Sequence, residues 1–349
     1  QMRRQESLTA FDDARRYYRS LVNDEARAPG RVRVMSQYQM VRASYQTEDY
    51  EGVVTETAEL LSRFPGSEYE DAALYDRGWA FYHMARYNEA ISSFEDLLAV
   101  SDDALKRDRS MFQMGESYIL LGKNDEARAE YGHLVEQYDF TELSNRELLQ
   151  MKAQRLRGLV KETTRELVAK AQIRIADSYA SEGRVSEAID AYSKVPTNYP
   201  QETLIVQKSY DNMATMVLEQ QGVDPGVRIL RQAIEQVDDT YFRGRAQLRI
   251  AGVLFREGRY RDAIAEYQVY RRAYGSQAQA IGVGLDEVLF SESEAHRELA
   301  RTEDDGTQAM ESARTGYAAI LADYPFSNRR AEARYGLGHV HIAAERPDS

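Results

Sequence analysis

One pattern of small and large residues returns along this chain at nearly constant intervals, and it limits the fold more than any other feature. Ala90 is followed by Phe94 and Leu97 and preceded, nine places back, by Phe81. Ala127 has Tyr131, Leu134 and Tyr118 in those places, Ala188 has Tyr192, Val195 and Tyr179, and Ala263 has Tyr267, Tyr270 and Leu254. Val53 (with Tyr45 and Tyr50 before it) and Val227 (with Leu218) are weaker copies. From 53 to 90 and from 90 to 127 the step is 37 residues, and from 227 to 263 it is 36. A period of this size marks a stack of similar units, none of which buries its apolar face alone.

The clearest unit is Leu74–Leu98. Leu74, Gly78, Phe81 and Tyr82 fall on one helical face, and Tyr87, Ala90, Ile91, Phe94 and Leu97 on the next, at spacings of three and four. Ala85-Arg86 between them fits only a tight turn. Gly78 and Ala90 are small where the two helices should cross. Elsewhere the turn carries glycine, at Leu121-Gly122, Glu182-Gly183, Gln221-Gly222 and Glu257-Gly258, as expected of a helix terminator in the left-handed conformation. Proline closes several units, at Pro65, Pro200 and Pro325. The expected fold is therefore all-α, a right-handed superhelix of roughly seven helix pairs.

This pattern resembles the tetratricopeptide repeat, a helix–turn–helix unit. The residues that carry the resemblance are Gly78, Phe81, Ala90 and Phe94; Gly115, Tyr118, Gly122 and Ala127; Tyr179, Gly183, Ala188, Tyr192 and Pro200; and Gly258, Tyr260, Ala263 and Tyr267. Leu74, Met111 and Gln247 depart from the family's frequent tryptophan, and Ala176 and Ala251 from its tight glycine. The linkers Phe64-Pro65-Gly66-Ser67 and Tyr324-Pro325-Phe326-Ser327 lead into alanine-rich helix starts and are similar to those of the bacterial cell-envelope branch, which includes outer-membrane assembly lipoproteins and Tol–Pal partners. That resemblance implies a periplasmic or envelope location, with a cytoplasmic one as the alternative.

The rhythm divides the chain. Residues 1–33 read as the second helix of a truncated repeat (Ala14, Tyr18, Leu21), 34–141 as three repeats, and 142–168 as an irregular helical insert. Residues 169–280 read as three more repeats, 281–328 as a repeat with a lengthened inner turn at 301–308, and 329–349 as the start of a further, truncated repeat. Neither end shows a polar cap of the kind solenoids need, so the expectation is a piece of a longer array. The insert and the long turn are both candidate partner sites or simply solvated insertions.

Chemistry finds no foothold. The 349 residues include no cysteine, which removes disulfides, zinc–thiolate sites and thiol catalysis. The five histidines are scattered, and His339 and His341 point about 200° apart on a helix, a poor metal pair. There is no HExxH, GxSxG or phosphate-binding glycine loop, Gly282-Val283-Gly284 being too short for one. The acid pairs Asp12-Asp13, Asp102-Asp103 and Asp304-Asp305 suit polar turns or helix starts. A net charge of −12 argues against general binding to nucleic acid or anionic membranes, and no stretch approaches the roughly 18 apolar residues of a membrane helix. No catalytic residue, cofactor or metal is expected.

Binding of a protein or peptide is expected instead. In a stacked array the first helices line the concave face. Tyr75, Trp79 and Tyr82 of the central unit do not all fit on its packing face, and the same spacing offers Tyr38, Arg42 and Tyr45 before it and Phe112 and Glu116 after it. Rigid aromatics and arginines are the usual interface anchors; the competing role is packing between helices. Trp79, the only tryptophan, is the expected anchor, with little effect on melting when it is removed. Arg245 and Arg249, with Arg174 and Arg256, would form a basic strip that takes a carboxylate, or would pair with neighbouring acids. The leading function is a non-catalytic interaction scaffold binding a partner segment along the groove, in envelope assembly. The alternatives are a regulatory or targeting arm of a larger enzyme or signalling protein, and a self-assembling oligomer. The sequence does not fix the partner, the pathway or the oligomeric state.

Overall fold

The computed structural model describes residues 2–138 and 164–345, and among these every regular element is helical. The chain forms two compact units, residues 1–184 and 185–349. In the first unit the helices are α1 (Met2–Asn23), α2 (Gly30–Gln46), α3 (Tyr50–Arg63), α4 (Glu70–His83), α5 (Tyr87–Val100), α6 (Ala104–Leu120), α7 (Asn124–Glu136) and α8 (Thr164–Ser181). The second holds α9 (Val185–Asn198), α10 (Thr203–Gln220), α11 (Val223–Gln236), α12 (Thr240–Arg256), α13 (Tyr260–Tyr274), the short α14 (Ala278–Ile281), α15 (Leu285–Thr302), α16 (Thr307–Asp323) and α17 (Arg330–Glu345). Within each unit consecutive long helices pack on one another. First helices also touch the first helices of neighbouring pairs, α2 on α4, α4 on α6 and α6 on α8.

The inner turns follow one design. The N–H of Asp49, Arg86, Lys123, Arg184 and Arg259 donates back to the carbonyl five residues earlier, at 2.9–3.0 Å. The residue just before each donor is left-handed: Gly122, Gly183 and Gly258 at φ +71°, +72° and +77°, but Glu48 and Ala85 at +59° and +56°. Glycine takes this conformation freely and a side chain does not. The two earliest turns therefore hold a strained residue where the later ones hold glycine.

The joint between pairs has its own device, which the apolar rhythm did not reveal. Arg33, Arg107, Arg243 and Arg330, each in the first turn of a first helix, donate to carbonyls at the end of the preceding second helix. Arg33 reaches Val22 at 3.0 Å, Arg107 reaches Ser101 at 3.1 Å, Arg243 reaches Val237 at 2.6 Å and Arg330 reaches Leu321 at 2.7 Å. A cation there satisfies orphan carbonyls and the negative end of the helix dipole. A second device is a buried acid. Glu56 is held by Gln37 (2.9 Å) and Arg19, and Glu266 by Gln247 and Arg231. Each set joins one pair to the second helix before it.

The small residues do what their spacing predicts. A Cβ on Gly78 would lie 2.5 Å from the Phe94 ring, and one on Gly115 under 3 Å from the Tyr131 ring. Ala90, Ala127, Ala188 and Ala263 are fully buried. One expectation needs correction. Asp12-Asp13 lie inside α1, not in a turn or at a helix start, because helix begins at Met2; Asp13 pairs with Arg16. Half of the stretch 301–308 is helical: α15 runs to Thr302, α16 starts at Thr307, and the turn between, residues 303–306, is one residue longer than the inner turn at 84–86. A one-turn α14 with a 3-10 turn before it, at residues 275–281, was not foreseen. Of the insert at 142–168, residues 142–163 lie outside the described residues, and 164–168 begin α8.

Candidate functional site

In the first unit the side chains singled out in the sequence lie on α2, α4 and α6, whose first-helix faces adjoin. Tyr38 stacks on Tyr69 at 5.1 Å and donates its hydroxyl to Asp76 at 3.3 Å. Arg42 is exposed, and no carboxylate among the described residues lies within salt-bridge distance of it. Tyr45 packs edge-on against Tyr50 and meets His83, its hydroxyl 3.4 Å from Nε2. His83 lies flat on Tyr50 at 5.0 Å and touches Trp79 at 5.9 Å. Trp79 in turn contacts Tyr75 at 6.3 Å and Tyr82 at 5.7 Å. Tyr82 reaches Tyr87 of α5 at 5.6 Å. The result is a run of rings from Tyr45 of α2 and Tyr50 of α3 across α4 to Tyr87 of α5, half-buried except for the exposed His83, with the exposed Arg42 on the same helix as Tyr45.

The individual roles differ. Trp79 and Tyr75 both pack against the buried cluster of Phe81, Ala90, Ile91, Phe94 and Met114. Removing Trp79 would therefore cost stability as well as surface, contrary to the expectation of an unchanged melting temperature. Phe112 packs on Tyr131 of its own pair at 5.4 Å. Glu116 accepts the Tyr131 hydroxyl at 2.6 Å and is gripped by Arg174, with Nε at 2.7 Å. Its oxygens serve this internal network, and Arg174 is paired rather than available. Asp76 is buried beneath the run, and burial pushes its carboxyl up to about 6, against the pull of Arg42 and Tyr38. Tyr45 is pushed up to about 12, again chiefly by burial. Sequence reasoning missed Tyr50, Tyr69 and Tyr87. The signal for two of them was present, since an aromatic pair five residues apart spans the inner turn at Tyr45/Tyr50, Tyr82/Tyr87 and Phe255/Tyr260.

In the second unit Arg245 and Arg249 line a cavity of ≈ 560 Å³ between α10 and α12, with Asp211, Tyr241, Phe242 and Leu248 around them. Arg249 bonds Asp211 at 3.3 Å and the Thr215 hydroxyl at 2.6 Å. Among the described residues Arg245 bonds only the Tyr241 hydroxyl, at 3.2 Å, and lies over that ring. Burial raises the Asp211 carboxyl, with Arg249 and Arg245 opposing. Among the described residues Arg249 has an acid within salt-bridge distance and Arg245 has none, though both act on Asp211. Among the described residues no cluster of His, Asp and Glu could hold a metal, and no helix is long and apolar enough to cross a membrane.

Comparison with known proteins is consistent with this architecture. Two family models described as tetratricopeptide repeat match the chain, one at residues 215–278 and the other at 72–101, 109–141 and 170–202. Among solved structures, the C-terminal part of a TPR repeat-containing protein from Cytophaga hutchinsonii is 14% identical, covering 86% of this chain and 99% of its own, with a TM-score of 0.47. The apo form of RapI is 11% identical over 98% of each chain, with a TM-score of 0.49. A tetratricopeptide repeat protein from Parabacteroides merdae is 13% identical, covering 88% of this chain and 99% of its own, with a TM-score of 0.41. No curated protein sequence matches. Over the matched stretches the chain is built of tetratricopeptide repeats, units that generally mediate protein–protein interaction.

Proposed function

We propose that the chain is a non-catalytic interaction scaffold and that a partner's segment lies along the first-helix face of the first unit, over Tyr38, Arg42, Tyr45, Tyr75, Trp79 and Tyr82. The observation that carries this reading is the run of rings that joins α2 to α4 and reaches α3 and α5. It is largely half-buried, and the exposed Arg42 beside it has no carboxylate partner among the described residues. Arg245 and Arg249, beside their cavity in the second unit, are a separate candidate contact for an acidic group of a partner. The linkers at 64–67 and 324–327 support a place in the bacterial envelope, as in assembly lipoproteins or Tol–Pal partners. Fractionating the source cells checks that part, and a purely cytoplasmic chain would overturn it.

The test of the binding face uses peptides selected from a random display library on the immobilised chain. Arg42→Ala and His83→Ala change exposed side chains, so folding should be untouched. Trp79→Phe keeps a ring in the cluster. Each should weaken selected peptides by more than about 1 kcal/mol, roughly fivefold or more, with melting preserved for the two exposed positions. Peptides that bind all three variants like the parent would place the partner elsewhere.

A further inference from the structure

We infer that the second unit carries a docking groove of its own, between α13 and α16, for a basic extended segment of a partner protein. The groove lies on the second-helix side and is independent of the aromatic face in the first unit. α15 forms its floor, and its volume is ≈ 880 Å³, against ≈ 400 Å³ for the corresponding groove between α11 and α13. α12 and α15 pack on α13, and α15 and α17 pack on α16, so both walls are held inside the array.

The shape suits a stretch of chain. Gln308, Glu311, Thr315, Ala319 and Asp323 bring one whole face of α16 to the groove, at spacings of three and four. Asp305, before that helix, and Tyr324, after it, mark the two ends. The 17 residues of α16 span roughly 25 Å, the length of about seven residues of extended chain. A lone small cation would leave most of that length empty.

The charges choose the occupant. The groove between α11 and α13 is balanced, with Arg228, Arg231 and Arg259 against Asp224, Asp262 and Glu266. The larger groove sets Glu292, Asp305, Glu311 and Asp323 against Arg271 alone. Arg271 is taken up by the buried Glu292, at 2.7 Å. Glu311 holds Arg314 of its own helix, also at 2.7 Å. Asp305 and Asp323, at opposite ends, have no cation within salt-bridge distance among the described residues. Asp323 also stands at the negative end of the α16 dipole. On the floor, the Nδ1 atom of His296 is buried with no hydrogen-bond partner, and burial lowers the pKa of that ring against the pull of Glu292. A neutral imidazole accepts an N–H once the ring turns toward the groove. A segment with an arginine or lysine near each end meets both free carboxylates, whereas an acidic segment is repelled.

The test is fluorescence anisotropy of the full chain with a labelled seven-residue peptide, arginine at both ends and leucine, alanine and serine between. A glutamate-ended counterpart should not bind. Asp305→Asn combined with Asp323→Asn should weaken the arginine peptide roughly fivefold or more. Thr315→Trp, at an exposed position lining the groove, should block it. Asp102→Asn combined with Asp238→Asn removes the same charge from exposed positions outside the groove and, with solvent screening, should change binding by less than about twofold. All these variants should melt like the parent. Spermidine should displace the peptide only at far higher concentration than unlabelled peptide does. A parent that does not bind the arginine peptide overturns the inference, as do equal losses in the groove and control variants or full binding by Thr315→Trp. Spermidine that competes as well as the peptide would assign the groove to a free polyamine and overturn it too.

Discussion

Replacing Gly78 with alanine puts a methyl carbon 2.5, 2.7 and 2.8 Å from Cε1, Cζ and Cδ1 of Phe94. Carbon atoms settle about 3.5–4 Å apart, so α4 and the ring must separate by roughly 1 Å. Phe94 is fully buried and already meets Tyr75, which leaves it little room to retreat. Overpacking of this kind costs about 1–3 kcal/mol, and the better helix propensity of alanine returns about 1 kcal/mol. A net loss of ~1–2 kcal/mol is expected. Gly132 in α7 is the control, because a Cβ there has nothing within 4 Å. The same substitution at Gly132 should stabilise by up to about 1 kcal/mol. Arrays of this kind unfold in parts, so urea titrations should be followed both by circular dichroism and by fluorescence of Trp79, the only tryptophan and the immediate neighbour of Gly78. In a Phe94→Leu background the penalty at Gly78 should shrink or change sign. Equal effects at Gly78 and Gly132 would refute the crossing geometry.

Three further outcomes follow from particular residues. Ala85→Gly should raise stability by roughly 1 kcal/mol by relieving the left-handed alanine, and Gly122→Ala should lower it by a similar amount; opposite signs in paired melts check the turn. Ala90→Glu and Ala188→Glu force a carboxylate into fully buried crossings and should each cost several kcal/mol, so melts like the parent's would contradict the repeat assignment. Asp76 holds its proton up to about pH 6 in the folded chain, against an unfolded value near 3.9, so its contribution to stability is lost as pH rises between the two values. Asp76→Asn should therefore stabilise by ~2 kcal/mol more at pH 7.5 than at pH 4, and a pH-independent difference would show that the carboxyl is not desolvated.

The helix pairs were legible because each rests on short-range spacing. Gly78, Ala90 and Phe94 announce a crossing that any stacked pair must make. The arginines at 33, 107, 243 and 330 were not legible, because a cation that caps a neighbouring helix looks in sequence like any surface charge. The aromatic run was partly legible. Tyr38, Tyr45, Tyr75, Trp79 and Tyr82 stand out by spacing, but Tyr69 enters only because a linker folds back onto Tyr38. Glu116 and Arg174 show the limit in the other direction. Each reads as a groove residue, and the fold joins them across 58 positions into an ion pair. The short helix at 278–281 follows no repeat period and left no pattern to read.

The most direct test of the binding face is photo-cross-linking of a library-selected peptide from single positions on the two kinds of helix. A benzoylphenylalanine at 42 or 83 projects from the exposed edge of the first-helix face, whereas one at 55 or 92 projects from the exposed side of α3 or α5. The account predicts peptide adducts from 42 and 83 and none from 55 and 92, with the adducts lost when Trp79→Phe is added. Adducts from 55 and 92 alone would move the partner to the second helices and contradict it.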